Sequence, residues 1–188
     1  MKRTSLAILL GAALCAALPL SRADEAAVLK PLPPLAEGRA SIVYKSDGAG
    51  MIVHFASTTE GERCKGFTPV GKVYAAELLR KKLLGFVAKA VEKGNRLMNA
   101  YPQVDTVVAA EQTLKIRGYS AYSDSNGPFR TSGSCGPITT MFTPESMHRY
   151  QVVFNFVGEV CEQKIIDVTE PAQPQPVAAQ PISGCTRP

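Results

Sequence analysis

Histidine is scarce in this chain, present only as His54 and His148, and no two cysteines lie close together, so the short ligand spacings of a metal site are missing. No G-x-S-x-G elbow occurs, although a Ser-His-Asp set can also converge from distant positions. A phosphate-binding glycine loop is absent too, since Gly48 and Gly50 sit between two strand-like runs. Asp47, Asp124 and Asp167 fall at turns or strand ends, where Asp bonds to nearby backbone, and nothing pairs two carboxylates. Cys135-Gly136-Pro137 has the start of a redox motif, but Ile138 stands where the second cysteine would follow, and exchange needs both thiols. No metal and no cofactor is expected. His54 and His148 stay as the candidates for a catalytic base.

A large excess of one charge is also missing. The 188 residues carry 21 Lys+Arg and 16 Asp+Glu, a net of +5. Residues 1–23 read as a secretory signal, with Lys2 and Arg3 at the start, an Ala- and Leu-rich run, and Ser21 and Ala23 at −3 and −1. The run is shorter than the ~20 apolar residues of a membrane span. Leu14 is not the small residue that lipid attachment at Cys15 would want. Cleavage before Asp24 removes Lys2, Arg3 and Arg22, which leaves 18 basic against 16 acidic residues, a net of +2. A nucleic-acid-binding domain carries a much stronger basic excess, so no nucleic-acid partner is expected. The predicted location is the periplasm, or the medium outside the cell.

Four cysteines stay in the mature chain, namely Cys64, Cys135, Cys161 and Cys185. An even number in an exported protein favours two disulfides, with three connectivities open. The stretch from Ser134 to Val168 narrows them. Tyr150, Val152, Phe154 and Phe156 alternate with Gln151, Val153, Asn155 and Val157, the pattern of a strand with one buried face. Gly158-Glu159 then fits a two-residue hairpin turn with Gly first. It pairs Val157 with Val160, Phe156 with Cys161, Phe154 with Gln163 and Val152 with Ile165. That register turns Cys161 toward the aromatic face. Cys135, one strand earlier, is its expected partner on a neighbouring strand, and Cys64 pairs with Cys185 by elimination.

Residues 24–38 form a Pro-containing leader. Strands are expected at Ala40–Lys45 and at Met51–Ser57, where Ile52, His54 and Ala56 share the face expected to be buried. A helix is expected near 75–98, with Leu79, Leu83, Phe86, Val87, Ala90, Val91 and Leu97 on its apolar side. Tyr101 to Val108 reads as a connector, and Thr113–Tyr119 as a strand with Leu114 and Ile116 inward. Asn126-Gly127-Pro128 is a turn, Ser132-Gly133-Ser134 another, and Cys135–Phe142 a strand. Residues 169–188, rich in Pro and Gln, read as a disordered or polyproline tail. The expected fold is mainly β (α+β) over residues 39–168. It is an immunoglobulin-like or transthyretin-like antiparallel β-sandwich, braced by disulfides, with one inserted amphipathic helix.

Two surface features are candidates for binding. Lys81, Lys82, Lys89, Lys93 and Arg96 line one side of the helix, either as a solvated face held by Glu77 and Glu92 or as a contact for anionic lipid or lipopolysaccharide. Tyr119 and Tyr122, with Phe129, flank a polar turn, either as a recognition surface or as strand ends packed inward. The function expected is an exported, non-catalytic binding or protein-interaction module whose partner is an envelope protein or a glycan. The alternatives are an envelope-associated structural protein held by the basic helix, and a secreted inhibitor or immunity protein.

Overall fold

The computed structural model of the protein describes residues 34–49, 51–75, 81, 85–126 and 129–185. The expected signal segment, residues 1–23, and residues 24–33 of the expected leader lie outside the described residues. In chain order the elements are β1 (Arg39–Asp47), β2 (Val53–Thr58), β3 (Thr68–Val73), α1 (Gly85–Leu97), β4 (Ala100–Tyr101) and β5 (Val104–Ala109). They continue with β6 (Leu114–Asn126), β7 (Phe129–Phe142), β8 (Arg149–Val157), β9 (Val160–Asp167), β10 (Gln175–Pro176) and β11 (Gln180–Pro181). Sheet I has the order β10-β9-β8-β1-β5 and sheet II the order β11-β7-β6-β2-β3-β4.

Alternation builds the core. Sheet I turns Ala40, Ile42, Tyr44, Tyr150, Val152, Phe154 and Ile165 inward, and sheet II turns Val53, Phe55, Val73, Leu114, Ile116 and Phe142 to meet them. The protein is therefore mainly β, two sheets with one core between them. Phe55 of sheet II stands edge-on to Phe154 of sheet I, with ring centroids 6.4 Å apart. Gly118 leaves room for these rings. A Cβ there would stand 2.8 Å from the Phe154 ring and 3.1 Å from that of Phe55.

The pairing of β8 with β9 follows the hairpin register read from the sequence, with Phe156 opposite Cys161 and Val152 opposite Ile165. Gly158 takes φ +62°, the left-handed value that primed hairpin turns require. The sheets are mixed, not antiparallel throughout. β1 lies parallel to β8, Ile42 opposite Tyr150, and β3 lies parallel to β4. For β1 and β8 the cause is a crossing of the chain. β7 ends in sheet II, residues 143–148 carry the chain over to sheet I, and β8 arrives beside β1 running the same way.

That crossing also corrects the expected setting of the disulfide. Cys135 and Cys161 are bonded, with Cα atoms 6.0 Å apart, but they sit on β7 and β9, in different sheets. Facing sheets normally pack about 10 Å apart, so the two layers converge at this edge. Residues 169–185 correct a second expectation, because they do not stand clear of the domain. Gln175 and Pro176 pair with Asp167 and Ile166 of β9, and Gln180 and Pro181 pair with Met141 and Thr140 of β7. Proline is tolerated there because an edge strand needs only one row of hydrogen bonds. This strap ends at Cys185, which is bonded to Cys64 with Cα atoms 5.3 Å apart.

Three further expectations change. The connector at 101–108 contains β5, the outer strand of sheet I, with Ile42 opposite Thr106. Ser132-Gly133-Ser134 runs inside β7, because the β6–β7 ladder extends from Leu114 and Phe142 to Asn126 and Phe129. In α1 the buried residues are Ala88 and Asn95, seven apart, while Phe86 and Leu97 are exposed. The helix lies beside the short β4, where only a narrow stripe of it is covered. No helix among the described residues is long and apolar enough to cross a membrane.

With sequence separations of 26 and 121 between the bonded cysteines, the chain-entropy model gives the two bridges about 3.5 and about 5 kcal/mol. Cys185→Ser should free the strap first. Hydrogen exchange at the amides of Val177 and Ile182, which bond to Ile165 and Thr139, should become fast while the centre of β8 stays protected. Unchanged exchange at those two amides would show that the bridge does not hold the strap.

Candidate functional site

The outer face of sheet II is covered at one end and open beside it. On β6, Leu114, Ile116 and Gly118 point inward, so Lys115, Arg117 and Tyr119 point outward. Lys115 and Arg117 are nevertheless only 6% exposed each. Residues 59–67, between β2 and β3, fold over them. The Lys115 ammonium donates to the carbonyls of Glu60, Gly61 and Glu62 at 2.6, 3.0 and 2.7 Å, which uses all three of its protons. Cys64 in the same loop is held by Cys185. The loop thereby sets Phe67 under Arg117, with the guanidinium carbon 4.3 Å from the ring centroid, a cation–π contact.

His54 belongs to this outer face and not to the buried one. Val53 and Phe55 take the core positions, and Ala56, opposite Arg117 in the β2–β6 ladder, shares the outer side with His54 and is buried there. His54 lies opposite Tyr119 in the β2–β6 ladder, their rings stacked at 4.9 Å with planes 12° apart. Beside Tyr119 the β6–β7 register shifts between Gly118 and Ser120, where β7 carries one extra residue. Across β2, His54 faces Lys72 of β3, whose ammonium donates to the Met98 carbonyl at 3.2 Å. Asn99, at φ +53°, follows directly.

Together His54, Phe67, Lys72, Asn99, Arg117 and Tyr119 line a groove of about 360 Å³. Among the described residues that line it there is no carboxylate. Two cations and three aromatic rings therefore line it. Burial lowers the His54 pKa below its ordinary 6.5, and the nearby Lys72 ammonium lowers it further, so the ring is neutral at neutral pH. No protein-family model matches the chain, and no curated protein matches it. The groove has to be read from its own chemistry.

Of the residues singled out from the sequence, Tyr119 and His54 come together here. Arg117, Lys72 and Phe67 were not singled out, and the outward alternation of Lys115 and Arg117 was their one visible sign. Lys89, Lys93 and Arg96 are exposed on α1 and do not line the groove, and Lys81 is exposed ahead of that helix. Lys82 lies outside the described residues, as does the side chain of Tyr122. His148 is elsewhere, its Nδ1 2.6 Å from Asp167 Oδ2 and its Nε2 3.5 Å from Glu145 Oε2. Burial pushes the Asp167 carboxyl up, but hydrogen bonds from Thr169 and His148 outweigh it and hold it below its ordinary value. Both ring nitrogens face carboxylates, an arrangement that ties β9 to the 143–148 turn and aims no base at a nucleophile. A larger cleft of about 760 Å³ lies under the strap, lined by Ile138, Ile165 and Val177 among others. Its charged residues Glu162 and Lys164 pair with each other at 2.6 Å, so they offer a ligand little.

The sign of the His54 effect on stability follows from its lowered pKa. As pH falls through about 6.5 the unfolded chain takes up a proton that the folded ring refuses, so stability present above that pH is lost until the lower folded value is reached. An NMR titration should place the His54 midpoint below 6.5, and Lys72→Met should move it upward. A midpoint that ignores Lys72→Met would show that the ammonium does not act on the ring.

Proposed function

We propose that the protein is an exported, periplasmic binding module, acting without catalysis, whose ligand occupies the groove on the outer face of sheet II. One observation carries this reading. Lys72 and Arg117 share one concavity with the rings of His54, Phe67 and Tyr119, and its described lining has no acid. Cations suit a carboxylate, and flat aromatic faces suit the apolar side of a sugar ring. The ligand class that fits is an acidic, uronate-bearing glycan of the cell envelope. The finer fold proposed is the immunoglobulin-like one. The Tyr150 hydroxyl at the start of β8 accepts the Glu145 amide at 2.9 Å, which resembles the tyrosine corner of those sandwiches.

Titration with uronate oligosaccharides, neutral oligosaccharides and acidic peptides, followed by NMR shifts, tests the proposal. Saturable binding of the uronate is expected, with shifts at Lys72 and Tyr119, and Lys72→Met should weaken it about tenfold, the effect of losing a charged hydrogen bond. Equal affinity for the neutral sugars, preference for the peptides, or indifference to Lys72→Met would overturn it. So would steady turnover abolished by one side-chain change.

A further inference from the structure

With Ala88 and Asn95 buried, α1 presents a second and separate surface. At 100° per residue, Arg96, Lys89, Lys93, Phe86, Leu97 and Ala90 fall within one arc of roughly 120°, and all six are exposed. Phe86 is 73% exposed and Leu97 80%, against the usual fate of such side chains. They stand about 16 Å apart along the axis, by helical rise, with Lys89 and Lys93 between them. Met98, 49% exposed, extends the apolar line past the end of the helix. Glu92, the only acid in Gly85–Leu97, lies off this arc, is half-buried and is engaged in an interaction of its own.

We infer that this face seats the protein on a bilayer surface that bears anionic phosphate headgroups. An interfacial helix needs large apolar side chains for the acyl boundary and cations for the headgroups, on one exposed face. Here Phe86 and Leu97 supply the first, and Lys89, Lys93 and Arg96 the second. The helix has 13 residues, about 20 Å, which is too short to cross a bilayer and long enough to lie on one. A second copy docking face to face would set these cations against their own equivalents. Charge complementarity favours the lipid surface. None of these residues lines the groove, so the inference does not rest on the proposed glycan site.

Flotation of the exported, disulfide-intact protein with vesicles of phosphatidylglycerol, and separately of phosphatidylcholine, tests it. Binding to the anionic vesicles alone is expected, falling as salt is raised. Lys89→Gln/Lys93→Gln should weaken it roughly 25-fold, about fivefold for each cation near the surface. Phe86→Ser/Leu97→Ser should also weaken it, with an unchanged melting temperature because both side chains are solvent-exposed. Equal flotation with the zwitterionic vesicles, none with the anionic ones, or binding that ignores the helix substitutions would overturn the inference.

Discussion

The ammonium of Lys115, enclosed by three consecutive carbonyls, is the contact on which the outer face of sheet II depends. A buried cation without acceptors is costly, so residues 59–67 can cover Lys115 only with these carbonyls turned to it. While they stay, Phe67 lies under Arg117 and Cys64 lies within reach of Cys185. The first contact forms one wall of the groove. The second holds the end of the strap. One turn thus couples the binding surface to the closure of the sandwich.

The closure has its own tie. β7 and β9 belong to different sheets, and Cys135–Cys161 joins them where the layers converge. Gln163, two residues beyond Cys161, reaches across the same edge and donates to the Ile116 carbonyl at 3.2 Å and to Thr140 at 2.7 Å. The strap then runs over this edge, pairing with β9 on one side and β7 on the other. An edge that would otherwise expose unpaired backbone is thereby covered.

The β8–β9 hairpin was legible because its aromatic alternation and Gly158 turn are local, and local signals survive without tertiary knowledge. The Cys135–Cys161 partnership was legible too, but for an incomplete reason, since no local pattern says that β7 and β8 lie in different sheets. The strap was hidden by its prolines, which read as disorder although a sheet edge accepts them. β5 was hidden by Pro102 and by the outward Val107, which blurs the alternation. Phe86 and Leu97 defeated the helical pattern because periodicity gives an apolar side and not the side that is covered. Of the groove, Tyr119 and His54 could be singled out from sequence, His54 on the face opposite to the one expected. His54, Lys72, Phe67 and Arg117 reach it from β2, β3, a folded-over loop and β6, and their convergence depends on the pairing registers.

Peptide mapping of the oxidised protein under non-reducing conditions tests the central claim, that one loop and one strap are bound together across the outside of a cross-tied sandwich. The account predicts two linked peptides, Cys64 with Cys185 and Cys135 with Cys161. Recovery of Cys64 joined to Cys135 or to Cys161 would contradict it. Either linkage would take the strap off β7 and leave the loop over Lys115 without its anchor.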